Sequence, residues 1–321
     1  MARAARIRRW VPGRAAVRRR PGVRAVVAAV VIAALAPGCG RPAPAPPVTP
    51  TSSAPAAPGS SAPSSGSSAP PVPASSAPSS ASASAGAPGR PGLVVLGDVD
   101  PRIRTDIRYA TAHNFVGRPV AGYPEPVCLL SRPAAEALRR VQDAALARGR
   151  SLKVYDCYRP QRAVDDFVAW AQRPGEQQTK AEFYPRVAKS ELFDEGYVGA
   201  PTAHSRGSTV DLTLVDVPTA TQPPYAPGQA PVSCTAPRGQ RFADNGVDMG
   251  TGFDCFDPLA HTDSPQITGV ARENRRLLRQ LMTDGGFVNY DREWWHYRYR
   301  DEPWPDTYFD VPVARSSAGR P

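Results

Sequence analysis

An α+β fold is what the sequence predicts, on three observations. Helical and strand-like runs follow one another without the regular βαβ alternation of a doubly wound parallel sheet. Two segments, Arg132 to Arg148 and Thr268 to Thr283, carry apolar residues at helical spacing. A third, Thr209 to Val215, alternates Val210, Leu212 and Leu214 with other residues, the period of a strand.

The elements are expected in this order. Ile103 to Tyr109 reads as a short strand, and Thr111 to Tyr123 as a loop punctuated by glycine and proline. Ser131 is placed to N-cap the helix that follows, with Pro133 in its first turn and Gly149 as its stop. Ala134, Leu138, Val141 and Ala145 form its inner face. Leu152 to Tyr155 is a buried strand. Pro160 to Gln172 reads as a helix with Val164, Phe167, Val168 and Trp170 apolar, and Lys180 to Phe193 as a weaker one. Pro218 to Gly239 is so rich in proline that it reads as a surface excursion. The helix Thr268–Thr283 should turn Val270, Leu277, Leu278 and Leu281 inward. Phe287 to Tyr290 and Trp294 to Tyr299 are aromatic strands joined by a short turn.

Composition divides the chain before any fold is considered. Residues 1–38 hold nine arginines, no acid and an apolar run from Val26 to Leu35. That run has the length of a secretory h-region and is too short to span a membrane. It ends in Leu35-Ala36-Pro37-Gly38-Cys39, which resembles a bacterial lipoprotein cleavage site, so Cys39 is the expected lipidated residue and the membrane the expected partner. Residues 39–90 are almost wholly Ala, Pro, Ser and Gly, which cannot bury enough apolar surface to offset the entropy of ordering, so a disordered tether is expected. Residues 91–315 are the expected folded domain and 316–321 a disordered tail. The whole chain has a formal charge of +10, but without the nine leader arginines only about +1 remains. The basic character lies in the leader and gives no support for nucleic-acid binding.

With Cys39 set aside, Cys128, Cys157, Cys234 and Cys255 remain. An even number in an exported domain favours two disulfides, and none forms the close pair of a zinc-cysteine site. Three connectivities are possible, and isolated thiols are the alternative. Cys128–Cys157 with Cys234–Cys255 is the expected pairing, since the second bond would staple the excursion.

The chemistry gathers around His204-Ser205-Arg206-Gly207-Ser208-Thr209-Val210-Asp211. Only four histidines are present. A histidine and a carboxylate close together on either side of a glycine turn suit a metal, and His296 in Glu293-Trp294-Trp295-His296 is the natural third ligand. A catalytic zinc takes three such ligands and keeps a fourth position for water. Amide hydrolysis also needs a base, for which Glu293 is placed only if the backbone there is irregular, because an offset of three in a regular strand points to the opposite face. It needs a donor for the developing oxyanion, and Arg159 in Asp156-Cys157-Tyr158-Arg159-Pro160 offers a fixed fork. His113 and His261 read as ordinary loop histidines, and Trp294 and Trp295 as packing.

These motifs together resemble the VanX-type D-alanyl-D-alanine dipeptidases of the zinc D,D-peptidase group. The resemblance rests on His-Ser-Arg-Gly-Ser-x-x-Asp-Leu-Thr-Leu, Glu-Trp-Trp-His-Tyr and Asp-x-Tyr-Arg-Pro, and on the run Arg108 to Phe115, Met249 to Asp254 and Asp301 to Asp310. It covers about residues 96–313. It implies a compact domain with a central, mostly antiparallel sheet flanked by helices, a hedgehog/D,D-peptidase-like fold, with one Zn2+ in a small cavity. It implies that His204, Asp211 and His296 hold the zinc, that Glu293 is general base and acid, and that Arg159 stabilises the tetrahedral intermediate. Tyr109 and Asp254 match positions that hold the free amino terminus of a dipeptide, and Thr202 stands at a substrate-binding position where serine is usual. Thr209, Cys157 and Cys255 also depart from the usual residues. The function so implied is hydrolysis of D-alanyl-D-alanine in cell-wall peptide metabolism. A zinc D,D-carboxypeptidase trimming peptidoglycan stem peptides is the first alternative, against which Tyr109 and Asp254 stand. A non-catalytic zinc-stabilised wall-binding lipoprotein is the second, against which Glu293 and Arg159 stand.

Overall fold

The computed structural model describes residues 92–319. The leader, Cys39 and the whole of the expected tether lie outside them. A two-stranded antiparallel ribbon pairs β1 (Leu93–Val95) with β3 (Leu129–Ser131). A five-stranded sheet is built from β2 (Arg104–Thr105), β4 (Arg150–Asp156), β5 (Thr209–Asp216), β7 (His296–Tyr299) and β6 (Phe287–Asn289), side by side in that order. Only the β2–β4 pair is parallel. The helices are the one-turn α1 (Leu96–Val99), α2 (Arg132–Leu146), α3 (Gln161–Ala171), the one-turn α4 (Lys180–Phe183) and α5 (Gly269–Asp284). The class is α+β with a mostly antiparallel sheet.

The helix ends follow local chemistry. Ser131 Oγ accepts the Ala134 amide at 3.4 Å and caps α2, and it also meets Ser208 Oγ at 2.8 Å. Ala134, Leu138, Val141 and Ala145 are buried, as the spacing required. Gln142 on the same face is buried too, and its amide bonds to the Leu152 amide and Ser151 Oγ at 2.8 Å each, which locks α2 to the start of β4.

Five expectations are corrected. From Ile103 to Tyr109 only Arg104 and Thr105 pair as a strand, after which a 3-10 turn at Arg108–Ala110 drives Tyr109 into the interior. Asp106 and Arg108, 2.9 Å apart, form a lateral ion pair that a continuing strand would not need. The segment from Lys180 to Phe193 is helical only to Phe183, because Pro185 disfavours helical backbone at Tyr184, and one 3-10 turn follows at Lys189–Glu191. Val270 is exposed rather than inward and Leu277 only half-buried, since the buried stripe of α5 runs Ala271, Asn274, Arg275, Leu278, Leu281 and Met282. Strand β7 begins at His296, and Glu293 and Trp294 lie in the turn before it. At the C-terminal end order runs past residue 315: Arg315–Ser317 form a 3-10 turn and the Gly319 amide donates to Leu93 O at 2.8 Å.

The excursion at 218–239 contains no helix or strand. The Cys234–Cys255 bond ties it down, as do amide bonds from Cys234 to Glu182 O at 2.8 Å and from Gly252 to Cys234 O at 2.9 Å. Cys128–Cys157 also forms.

Gly207 is the pivot between His204 and Asp211. It sits at φ +79, in the left-handed region, and an added Cβ would lie 2.6 Å from Leu93 Cδ2. Its carbonyl accepts the Ser131 amide at 2.6 Å, so the turn cannot simply rotate away. Gly207→Ala is expected to lose at least about 1–2 kcal/mol of stability from the backbone term alone. Denaturant unfolding checks this, and an alanine variant as stable as the parent would show that the turn tolerates a different conformation.

Candidate active site

Three neighbouring strands bring the site together in one row. Asp156 on β4 pairs in register with Asp211 on β5, and Asp211 with His296 on β7. Tertiary pairing therefore places the second and third expected ligands directly opposite one another. His204 enters from a 3-10 turn at Ala203–Arg206, whose first residue follows Thr202. Thr202 Oγ1 accepts the His204 amide at 3.4 Å, and the residue lines the cavity.

The three ligand atoms converge. His204 Nε2 lies 3.2 Å from His296 Nδ1 and 3.4 Å from Asp211 Oδ2, and His296 Nδ1 lies 3.2 Å from Asp211 Oδ1. Ligand atoms held about 2.0–2.1 Å from a tetrahedral zinc lie about 3.3 Å apart, so the spacing fits such an ion. Two further observations agree. His204 Nδ1 donates to Cys157 O at 2.6 Å, which leaves the Nε2 lone pair facing the other ligands. Asp211 Oδ1 is buried and accepts no well-aligned hydrogen bond, an orphan that a cation would satisfy. Among the described residues, this is the group of His, Cys, Asp and Glu close enough to hold a metal ion.

The other expected residues surround this trio. Glu293 Oε2 is 3.6 Å from His296 Nδ1, and the turn that carries it is held by Glu293 N–H to Tyr290 O at 3.1 Å and by Trp294 N–H to Ala260 O at 3.1 Å. The irregular backbone that the offset of three demanded is present. Arg159 leaves the end of β4 and is clamped by Asp156, with Nε 3.0 Å and Nη2 2.9 Å from Oδ2. Its guanidinium packs over the Tyr109 and Phe167 rings at 4.9 and 5.3 Å, and Nη2 reaches to 3.5 Å from Asp211. Tyr109 O–H donates to Asp254 Oδ2 at 3.0 Å. Asp254 holds φ +53, the one non-glycine residue with positive φ among those described. Apart from Asp156, these side chains line one cavity of about 440 Å3, walled by aromatic residues including Phe115, Phe256 and Tyr197.

Electrostatics make this cavity hungry for positive charge. Asp211, Asp254 and Glu293 line it and are buried, and Asp156 is buried behind them on Arg159, the fixed cation among the four. Burial, with Asp211 and Asp254 nearby, pushes the Glu293 carboxyl well above its ordinary range. Burial and Asp211 do the same to Asp254. Asp211 itself is held low: burial opposes its charge, but His204 and His296 prevail. Burial lowers His296, which favours the neutral imidazole that a metal needs. A dication beside Glu293 would work against its upward shift.

Peptidase family M15, described as D-ala-D-ala dipeptidase, matches residues 90–221 and 216–314. The chain belongs to this family. It is accordingly an enzyme, a peptidase. The D-alanyl-D-alanine dipeptidase of Streptomyces coelicolor is 42% identical over 212 residues, 66% of this chain and 93% of its own length. That of Enterococcus faecalis is 39% identical over 223 residues, 70% and 98% of the two chains. That of Escherichia coli is 31% identical over 208 residues, 64% and 83%. The M15 match covers every residue named above, from Tyr109 to His296.

Two features, one in the site and one outside it, escape a reading of the sequence. Asp156 was visible only as the first residue of the Asp-x-Tyr-Arg-Pro motif, yet it clamps Arg159, accepts Tyr123 O–H at 2.7 Å and lies 3.5 Å from His204 Nδ1. His113 is not an ordinary loop histidine. It is buried away from the cavity, between Arg108 at 2.8 Å and Glu182 at 2.7 Å, and it stacks on Tyr225 of the excursion with centroids 4.0 Å apart. His261 is half-buried and 3.3 Å from Tyr197 O–H. Trp294 and Trp295 are buried packing residues, and Trp295 also forms part of the cavity wall.

Proposed function

We propose that this M15 peptidase hydrolyses D-alanyl-D-alanine to two D-alanines, with one zinc held by His204, Asp211 and His296. The observation that carries the reading is the joining of two chemistries in one cavity: a ligand trio with Glu293 and Arg159 on one side, and the Tyr109–Asp254 pair at 3.0 Å on the other. The names of the relatives support the same substrate.

Bound there, zinc would supply Lewis acidity, polarising the scissile carbonyl and lowering the pKa of a water. The chain's own groups do the rest. Glu293 takes a proton from the attacking water and returns it to the leaving amine, a role open to a carboxyl that stands beside the ligand trio without belonging to it. Arg159, already fixed by Asp156, meets the oxyanion without reorganising. Asp254 with Tyr109 receives the substrate ammonium by a charge-assisted hydrogen bond. Because that pair is buried, it closes the amino-terminal end of the cavity, which favours a free dipeptide over the end of a longer peptide. The full chain, loaded with zinc, is therefore expected to release D-alanine from D-Ala-D-Ala. Release from a pentapeptide stem ending in D-Ala-D-Ala, with none from the dipeptide, would establish the carboxypeptidase reading instead.

We place the enzyme outside the cell membrane, anchored through Cys39 and acting in wall-peptide turnover or D-alanine scavenging. The leader pattern supports export, and so does the pairing of all four domain cysteines. An exported enzyme cannot drain a cytoplasmic dipeptide pool, so wall turnover fits better than removal of precursors inside the cell. Cys39→Ser is expected to shift the protein from the membrane fraction to the soluble one, and an unchanged membrane fraction would remove the anchor from the account.

A further inference from the structure

Each disulfide has one cysteine directly next in the chain to a carboxylate of the site, Cys157 after Asp156 and Cys255 after Asp254. Cys157 lies between Asp156 and Arg159, and its carbonyl is the acceptor that orients His204 Nδ1 at 2.6 Å. Cys255 directly follows Asp254, the carboxylate that meets Tyr109. Neither position is secured by a strand ladder. The β4–β5 register shifts between Val154 and Asp156, and Asp156 is the last residue of β4. Beyond it the backbone is held by Tyr158 N–H to Leu129 O at 2.9 Å and by Arg159 N–H to His204 O at 3.3 Å. Asp254 sits in irregular chain at positive φ, a conformation that a non-glycine residue keeps only when its surroundings impose it. Around it, Gly252 N–H bonds to Cys234 O at 2.9 Å and Phe256 N–H to Phe183 O at 2.7 Å.

We infer that the two disulfides are positioning elements for two different halves of the site. Cys128–Cys157 ties the Cys157 carbonyl, and with it His204 and Arg159, to the residue just before β3. Cys234–Cys255 ties the Asp254 backbone to the excursion, so that this surface segment supports the amine clamp. The first bond acts on the metal side and the second on substrate binding. The assignment rests on the zinc dipeptidase reading.

Two paired variants of the full chain separate the roles: Cys128→Ser with Cys157→Ser, and Cys234→Ser with Cys255→Ser. Zinc affinity is read by chelator competition, the ligand field by the visible spectrum of the cobalt(II)-loaded protein, and KM and kcat with D-Ala-D-Ala. The first variant is expected to bind zinc about 10–100-fold more weakly, as for loss of a partner that orients a ligand, with a changed cobalt spectrum. The second is expected to keep the parental zinc affinity and cobalt spectrum while KM rises by about tenfold or more, further than kcat falls, since a charge-assisted bond is weakened. Equal losses on both readouts in both variants, or no change in either, would overturn the inference. Where a serine pair does not fold, the pairs Cys128→Ala with Cys157→Val and Cys234→Ala with Cys255→Val give the same readings. If the parent chain binds zinc but does not cleave the dipeptide, the underlying reading fails, while the zinc and cobalt measurements still decide the role of the first disulfide.

Discussion

Glu293→Ala is expected to lower kcat by about 10²- to 10⁴-fold while leaving the bound metal in place. The separation follows from position. Glu293 Oε2 stands 3.6 Å from His296 Nδ1, beside the ligand trio but not one of its three members. Removing the carboxyl deletes the group that accepts and returns the proton. It leaves His204, Asp211 and His296, each set by its own element, to hold the ion. The side chain is buried behind a turn held by backbone bonds to Tyr290 and Ala260, so the turn itself should survive truncation. Turnover and metal content measured on the same sample check both halves. A variant with near-parental rate would show that another group carries the proton.

His204→Ala is expected to do the reverse, losing the metal first and the activity with it. Loss of a partner that merely orients a ligand weakens metal binding by about 10–100-fold, so loss of the ligand itself should exceed that range. The surroundings amplify the effect. Without the ion, Asp211 Oδ1 keeps no well-aligned hydrogen bond, and Asp156, Asp211, Asp254 and Glu293 stay buried around Arg159. Metal content after dialysis against a weak chelator checks this. A His204→Ala variant that retained a full equivalent of zinc would move the metal to other ligands.

The site was more legible in the sequence than the fold that carries it. His204, Asp211, His296 and Glu293 stood out because histidine is scarce here and because the offset from Glu293 to His296 could work only on irregular backbone, which the turn before β7 supplies. Asp156 was hidden, since a carboxylate three residues before an arginine reads as an ordinary ion pair until the register places it beside Asp211. The helical stripes were readable where several apolar residues agreed on a phase. They failed at Val270, where a single residue at the helix start was taken into the stripe. Element lengths were overestimated where the chain turned early, the strand at the 3-10 turn of Arg108–Ala110 and the helix ahead of Pro185. Counting cysteines suggested the staple on the excursion. It could not show that the Cys157 carbonyl is the acceptor for His204, because that contact depends on where the chain goes after β4 ends.

The central claim is that one cavity joins a hydrolytic metal site to a clamp for a free amino terminus. Comparing kcat/KM of the zinc-loaded full chain for D-Ala-D-Ala and for N-acetyl-D-Ala-D-Ala tests it most directly. Acetylation removes the ammonium charge and leaves the scissile bond unchanged. The Tyr109–Asp254 pair then faces a neutral amide, with a buried carboxylate lacking its cation, at a cost of roughly 1.5–3 kcal/mol or more. The account predicts that the free dipeptide is preferred by at least about tenfold, with most of that preference lost in Asp254→Asn. Equal kcat/KM for the two substrates would contradict it.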